Sequence, residues 1–273
     1  MDAETLGRAE AAGLRCDVTG PVATITLHRP EVRNAQTPAM WRALADIGGA
    51  LPQDVRVVLV KGAGHSFSAG LDRAMLDPTS ASGSASGSAS DAESVVGLLG
   101  LSDEEMSATI DAYQQGFTFL RDPRFISIAA VHGYAIGAGF QLALSCDLRV
   151  LADDAQLCMK ETALGLVPDL TGTKPLVESV GYARALEICA TARMVGAREA
   201  VEIGLALTVV PAAELDGTVA DLIASLTAPM AGAVRETKAL LGGAAGRSLD
   251  DQRRLEREAQ VRRLRALAAL QRG

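Results

Sequence analysis

The chain has little of what metal, disulfide or nucleotide chemistry requires. Its four cysteines, Cys16, Cys146, Cys158 and Cys189, are scattered and form no CxxC pair. That spacing excludes a disulfide framework and a zinc site, and reads as buried thiols of a reducing compartment. The three histidines, His28, His65 and His132, have no metal-ligand spacing and form no catalytic triad. No serine sits in a nucleophile elbow, which argues against Ser-His-Asp hydrolysis. There is no Gly-Lys-Ser/Thr phosphate loop. Gly62-Ala63-Gly64-His65-Ser66-Phe67 follows a strand signal but carries Phe67 where a dinucleotide fingerprint needs its third glycine.

Long apolar runs are missing as well. The most apolar stretch, Gly133 to Cys146, stops at Asp147 and is too short for a membrane span, so Gly133-xxx-Gly137 inside it is no transmembrane dimer motif. The first residues, Met1-Asp2-Ala3-Glu4, are acidic and lack a signal-peptide pattern, which leads to the expectation of a cytoplasmic protein. A net charge of −7 argues against nucleic acid as a partner.

What is present is a chain of 273 residues, 48% hydrophobic, enough for a substantial core. Val22–Leu27 is a β-branched strand ended by His28-Arg29-Pro30, where His28 reads as structural. Thr37 caps a helix with Pro38 at its first position, running to about Ala50. Val55–Val60 and Ile126–Val131 read as buried strands, and a helix from Ala138 is followed by a strand near Leu148–Leu151. Strands alternating with helices predict an α/β fold built from crossover units. Ser102 and Glu105 form a capping box for a helix toward Arg121. Residues 79–90, rich in Ser, Ala and Gly, read as a mobile loop.

From Gly181 the pattern is mostly helical, which divides the chain into a core over 1–195 and a helical region over 196–273. The last helix, capped by Ser248 and Asp251, carries Arg253, Arg254, Arg257, Arg262, Arg263 and Arg265. Asp250, Asp251, Glu256 and Glu258 interleave with them, as on a solvated or subunit-facing surface.

Two small-residue turns carry the chemistry. In Ala69-Gly70-Leu71-Asp72 a small pair lets backbone approach a ligand, with the Leu71 N–H as donor and Asp72 as a pin for the turn. Gly137-Ala138-Gly139 opens a helix whose first N–H groups lack internal partners, with Ala138 as the second donor. Two such donors aimed at one carbonyl oxygen would form an oxyanion hole.

With these two turns, the chain resembles the crotonase superfamily, or enoyl-CoA hydratase/isomerase family. The segments that carry the resemblance are 28–35 (His-Arg-Pro-Glu-Val-Arg-Asn-Ala), 67–72 (Phe-Ser-Ala-Gly-Leu-Asp), 133–147 from Gly133 to Asp147, and 161–168 (Glu-Thr-Ala-Leu-Gly-Leu-Val-Pro), in family order across about residues 12–260. The resemblance implies a spiral of repeated ββα units with a helical C-terminal trimerisation region, hence a homotrimer or dimer of trimers. It implies an acyl-CoA thioester substrate, with coenzyme A part of the substrate and no separate cofactor or metal. It implies that the N–H groups of Leu71 and Ala138 hold the thioester oxygen. Val32, Arg33, Ala69, Gly70, Asp72 and Gly137 would line the substrate path, and Arg73 would stand in for a phosphate-contacting lysine.

Reaction type turns on the acid–base groups. Of the two glutamates of family hydratases, one position holds Gln141, which can place a water but cannot take its proton, and the other holds Glu161. Asp169 stands where many hydratases have glycine. The Glu161–Asp169 pair is similar to that of dienoyl-CoA isomerases and of 3-hydroxyisobutyryl-CoA hydrolases. The expectation is an enoyl-CoA hydratase/isomerase-type enzyme with Glu161, with or without Asp169, as proton shuttle. Double-bond isomerisation stands ahead of 2-enoyl-CoA hydration, thioester hydrolysis and non-catalytic acyl-CoA binding.

Overall fold

The computed structural model describes residues 1–76 and 95–271; the predicted loop at 79–90 lies outside the described residues. The strands are β1 (Leu14–Thr19), β2 (Val22–Leu27), β3 (Val57–Gly62), β4 (Ile126–Val131), β5 (Tyr134–Ile136), β6 (Leu148–Ala152), β7 (Gln156–Cys158), β8 (Val195–Gly196) and β9 (Thr208–Val210). The helices are α1 (Ala3–Ala11), α2 (Pro38–Ala50), α3 (Val95–Leu98), α4 (Asp103–Thr118), α5 (Ala138–Ser145), α6 (Thr173–Val180), α7 (Tyr182–Thr191), α8 (Ala197–Glu202), α9 (Leu215–Thr227), α10 (Ala231–Gly242) and α11 (Leu249–Leu270).

One sheet has the order β1-β2-β3-β4-β6-β9 and is parallel except for the β1–β2 hairpin. A smaller sheet has the order β5-β7-β8. From β4 onward the chain repeatedly lays one strand in the large sheet, the next in the small sheet, and then a helix: β4-β5-α5, then β6-β7-α6. This is the expected winding of ββα units.

Alternation along the strands explains why both faces of the large sheet are covered. Val58, Val60, Ala129, Val131 and Leu151 face the main core with α2 residues Met40, Leu44 and Ile47. Val57, Leu59, Ile128, Ala130, Val150 and Ala152 face the other way, against Leu215 and Val219 of α9. Each buried Val, Leu, Ile or Met side chain among these contributes about 1.5–3 kcal/mol.

Local signals held where a cap or a β-branched run marked them. Thr37 accepts from the Met40 N–H at the start of α2, and Ser102 and Glu105 form the reciprocal box at the start of α4. β3 starts two residues later than the composition indicates, because the N–H groups of Arg56 and Val57 both donate to Pro21 O as the chain enters the sheet. The region on either side of 195/196 is continuous in packing. β8 spans that boundary, β9 pairs with β6, and α9 covers the large sheet, so the region after 196 is part of the core and not purely helical. At three residues, β9 is too short to declare itself by periodicity.

The two last helices pack differently from one another. Lys238 of α10 donates to Asp122 O (2.8 Å), Phe125 O (2.7 Å) and the Asp147 carboxylate (2.6 Å). On α11 only Ala259 is buried, and its arginines pair with Asp250, Asp251, Glu258 and, from α10, Glu236.

Arg149 in β6 is buried without a carboxylate. Its guanidinium donates to Ala143 O, Cys146 O and Leu205 O at 3.2, 2.6 and 2.6 Å, closing the C-terminal end of α5. Cation donors there also complement the helix dipole. Arg149→Met removes these donors while keeping bulk, and is expected to cost about 2–4 kcal/mol, read as a lower urea midpoint.

Candidate active site

The small sheet sets the geometry. Its edge is extended by a parallel bridge between Ser68 and Ala135, and Ala135 in turn pairs with Leu157. Leu71 and Ala138 each stand three residues beyond this bridged pair, and Glu161 four residues beyond Leu157. Three successive turns of the winding therefore leave the sheet side by side. The Gly137 N–H donates to Cys158 O at 2.8 Å, which ties the second turn to the third.

Gly70 brings the first turn onto the second. Its φ is +87°, and a Cβ there would lie 2.4 Å from Ile136 O and 3.6 Å from Ala138 N. Among the described residues neither the Leu71 N–H nor the Ala138 N–H has a protein acceptor. Gly137, with φ +51°, leaves room for Glu161: a Cβ there would lie 3.2 Å from its Oε1.

A buried polar network fixes the first turn. Asn34, with φ +54°, donates to Ala63 O and Ser66 O at 2.8 Å each. Ser68 Oγ donates to Asn34 O and accepts from Gly70 N and Gln36 Nε2, and Gln36 Oε1 accepts from the Trp41 indole. The Ala69 N–H donates to Arg33 O. Asp72 pairs with Arg29 at 2.9 Å and accepts from the Ala74 N–H, which ties the end of the turn to the segment after β2.

Glu161 opens a 3-10 turn after β7 and is 8% exposed. Its Oε1 accepts from Gln141 Nε2 at 2.7 Å, whereas Oε2 is buried with no hydrogen-bond partner among the described residues. Burial pushes the Glu161 carboxyl above the ordinary glutamate range and nearby Asp169 adds to this, against a smaller downward pull from the Gln141 bond and neighbouring backbone N–H groups. Asp169 is exposed as a residue, yet desolvation raises its carboxyl too, and its backbone oxygen accepts from Gln114 of α4 at 2.6 Å.

Gln141 is fully buried, and its Oε1 accepts the N–H groups of Leu170 (2.9 Å) and Gly172 (3.2 Å). Its oxygen is thus taken twice and one N–H of its amide is given to Glu161. Sequence alone carried no signal for this, since both backbone partners lie about thirty residues away.

Val32, Arg33 and Arg73 are exposed, Ala69 is half-buried, and Arg33 lies over the Tyr134 ring at 5.9 Å from its centroid. His65 and His132 line a separate surface cleft of about 370 Å³ with Lys61, Asp154 and Asp216, and His132 Nε2 contacts Gly64 O at 2.9 Å.

The profile of the family described as enoyl-CoA hydratase/isomerase matches residues 17–266. A peroxisomal Delta(3,5)-Delta(2,4)-dienoyl-CoA isomerase of Arabidopsis thaliana is 32% identical, covering 84% of this chain and 80% of its own length. An (E)-benzylidenesuccinyl-CoA hydratase of Thauera aromatica is 30% identical, covering 83% and 81%. A Thermobifida fusca YX protein, solved in complex with acetoacetyl-CoA, is 50% identical and superimposes with a TM-score of 0.89, covering 97% of this chain and 100% of that one.

Gly70→Ala tests the contact between the two turns. A methyl group against Ile136 O in a left-handed backbone is expected to destabilise by about 2–4 kcal/mol, seen as a lower melting temperature. An unchanged melting temperature contradicts the close approach.

Proposed function

Because the chain belongs to the enoyl-CoA hydratase/isomerase family and is an enzyme of that type, we propose that it moves the carbon–carbon double bond of an enoyl-CoA thioester, with Glu161 carrying the proton. The observation behind this reading is the buried, unpartnered Oε2 of Glu161 beside two backbone N–H groups that also lack protein acceptors.

The thioester oxygen accepts from Leu71 and Ala138 at the start of α5. Negative charge developing there is stabilised by preorganised donors and by the positive end of the helix. Glu161 Oε2 takes a proton from the acyl chain, the electrons pass into the dienolate, and the same carboxyl or Asp169 returns a proton at another carbon. The substrate is rearranged with no net gain or loss of atoms. A carboxylate held in desolvated surroundings is more basic than one in water, which suits abstraction near neutral pH.

Val32, Arg33, Ala69 and Gly70 would flank the CoA arm, and Arg73 would meet phosphate. The acetoacetyl-CoA held by the Thermobifida fusca relative supports this ligand class. Exposed Leu249, Leu264 and Leu270 on α11 support a homotrimer or dimer of trimers joined through the last helices. Hydration of a 2-enoyl-CoA has support in the hydratase names of relatives. Gln141 weighs against it here: it offers no second acid, and its oxygen is already occupied.

Conversion of a trans-3-enoyl-CoA to the conjugated 2-enoyl isomer, followed by ultraviolet absorbance, tests the reading. Wild type is expected to turn over, Glu161→Gln to lose about 10²–10⁴-fold, and wild-type activity to fall as pH drops through the raised Glu161 pKa. Absence of wild-type turnover overturns isomerisation on that substrate.

Stability moves the other way. A carboxyl raised by the fold contributes stability below its unfolded pKa and loses it as pH rises through the folded one. Glu161→Gln removes this loss, so calorimetry is expected to find the variant's melting temperature gaining on wild type between acid and neutral pH.

A further inference from the structure

We propose that Gln141 is a positioning residue: its amide reserves one oxygen of Glu161, Oε2, for proton transfer and couples that carboxylate to the strained turn that bears Asp169. The inference rests on Glu161 being the proton carrier and adds the device that aims it.

The amide's orientation follows from its partners. The N–H groups of Leu170 and Gly172 can only donate, so the side-chain oxygen must face them and the NH₂ group must face Glu161. The bond to Glu161 Oε1, at 2.7 Å, is charge-assisted when Glu161 is ionised. The Gln141 bond occupies one lone pair of Oε1 and leaves both of Oε2 open, and Oε2 is buried with no partner among the described residues. A proton arriving from an acyl carbon therefore meets Oε2 as the freer acceptor.

The same amide holds the turn at 169–172. Thr171, between its two backbone donors, has φ +67°, a conformation that a β-branched residue adopts only under constraint. Gly172 packs on the Gln141 side chain so closely that a Cβ there would lie 2.6 Å from its Cγ. Strained backbone and reacting carboxyl thus share one clamp.

A glutamate at 141 could accept the same two N–H groups, but it would turn an acceptor toward Glu161. The two carboxyls would then have to share a proton. Glutamine accepts from the turn and donates to Glu161 in every protonation state of the site, leaving one ionisable group in the clamp. The other groups around Glu161 are Asp169 from the turn, Cys158 and Lys160 from its own segment, and Cys189 of α7.

The test uses full-length enzyme labelled with ¹³C at the glutamate side-chain carboxyl, with Glu161→Gln to assign the Glu161 signal. Gln141→Glu keeps the acceptor for the turn and the packing volume. It is expected to move the Glu161 titration up by about one pH unit or more and to carry the acidic limb of kcat with it, while KM for trans-3-enoyl-CoA changes less than kcat. Gln141→Met removes the clamp and is expected to lower kcat by roughly tenfold or more, again with the smaller change in KM.

A Glu161 titration unmoved in Gln141→Glu overturns the proposal, whatever happens to stability. If Gln141→Met fails to fold, the glutamate variant decides alone. The titration needs no turnover. A shifted titration in an enzyme inactive on enoyl-CoA would thus uphold the clamp and reject the isomerase reading.

Discussion

The parallel register of Ser68, β5 and β7 in the small sheet is the constraint on which the site depends. Ser68, Ala135 and Leu157 stand side by side, and each is followed within four residues by a group of interest: Leu71, Ala138 and Glu161. A parallel arrangement repeats direction as well as spacing, so successive windings deliver their backbone groups to the same end of the sheet. One slipped pairing would turn those groups to the opposite face. The buried hydrogen bonds of Asn34, Ser68 and Gln36, and the glycines at 70 and 137, serve that register by letting the turns touch.

The large sheet supplies rigidity to this arrangement. Its strands are covered on both faces, and α5, which starts at Ala138, is held at its other end by Arg149 and by Arg121 donating to Leu144 O. Backbone N–H groups at the start of a helix so anchored are held in fixed positions. Lys238 extends the same logic outward: it joins α10 to Asp147, directly after the end of α5.

Glu161 sits in tension with stability. A carboxylate with one oxygen buried and unpartnered disfavours its own ionised state, and the Asp169 charge makes this worse. Such a group persists when its surroundings over-determine it. Here the Gln141 amide bonds one oxygen, the glycine at 137 leaves the carboxyl room, and the turn around Thr171 holds the amide in place. Perturbed carboxyls of this kind concentrate at functional sites, in keeping with the family to which the chain belongs.

The sequence by itself determined the α/β class, the caps at Thr37 and Ser102, the strands Val22–Leu27 and Ile126–Val131, and the identity of the two glycine turns. These rest on local chemistry: a side-chain cap, a β-branched run, a backbone angle that favours glycine. Only the tertiary structure decided that β9 belongs to the core sheet and that Asp72 pairs with Arg29. It alone placed His65 and His132 in a cleft of their own. Gln141 is the clearest case. Its residue type was legible, but its role depends on which hydrogen-bond partners reach it from Glu161, Leu170 and Gly172. An amide can donate or accept equally well in isolation, and the fold chose by bringing backbone donors to one side and a carboxylate to the other.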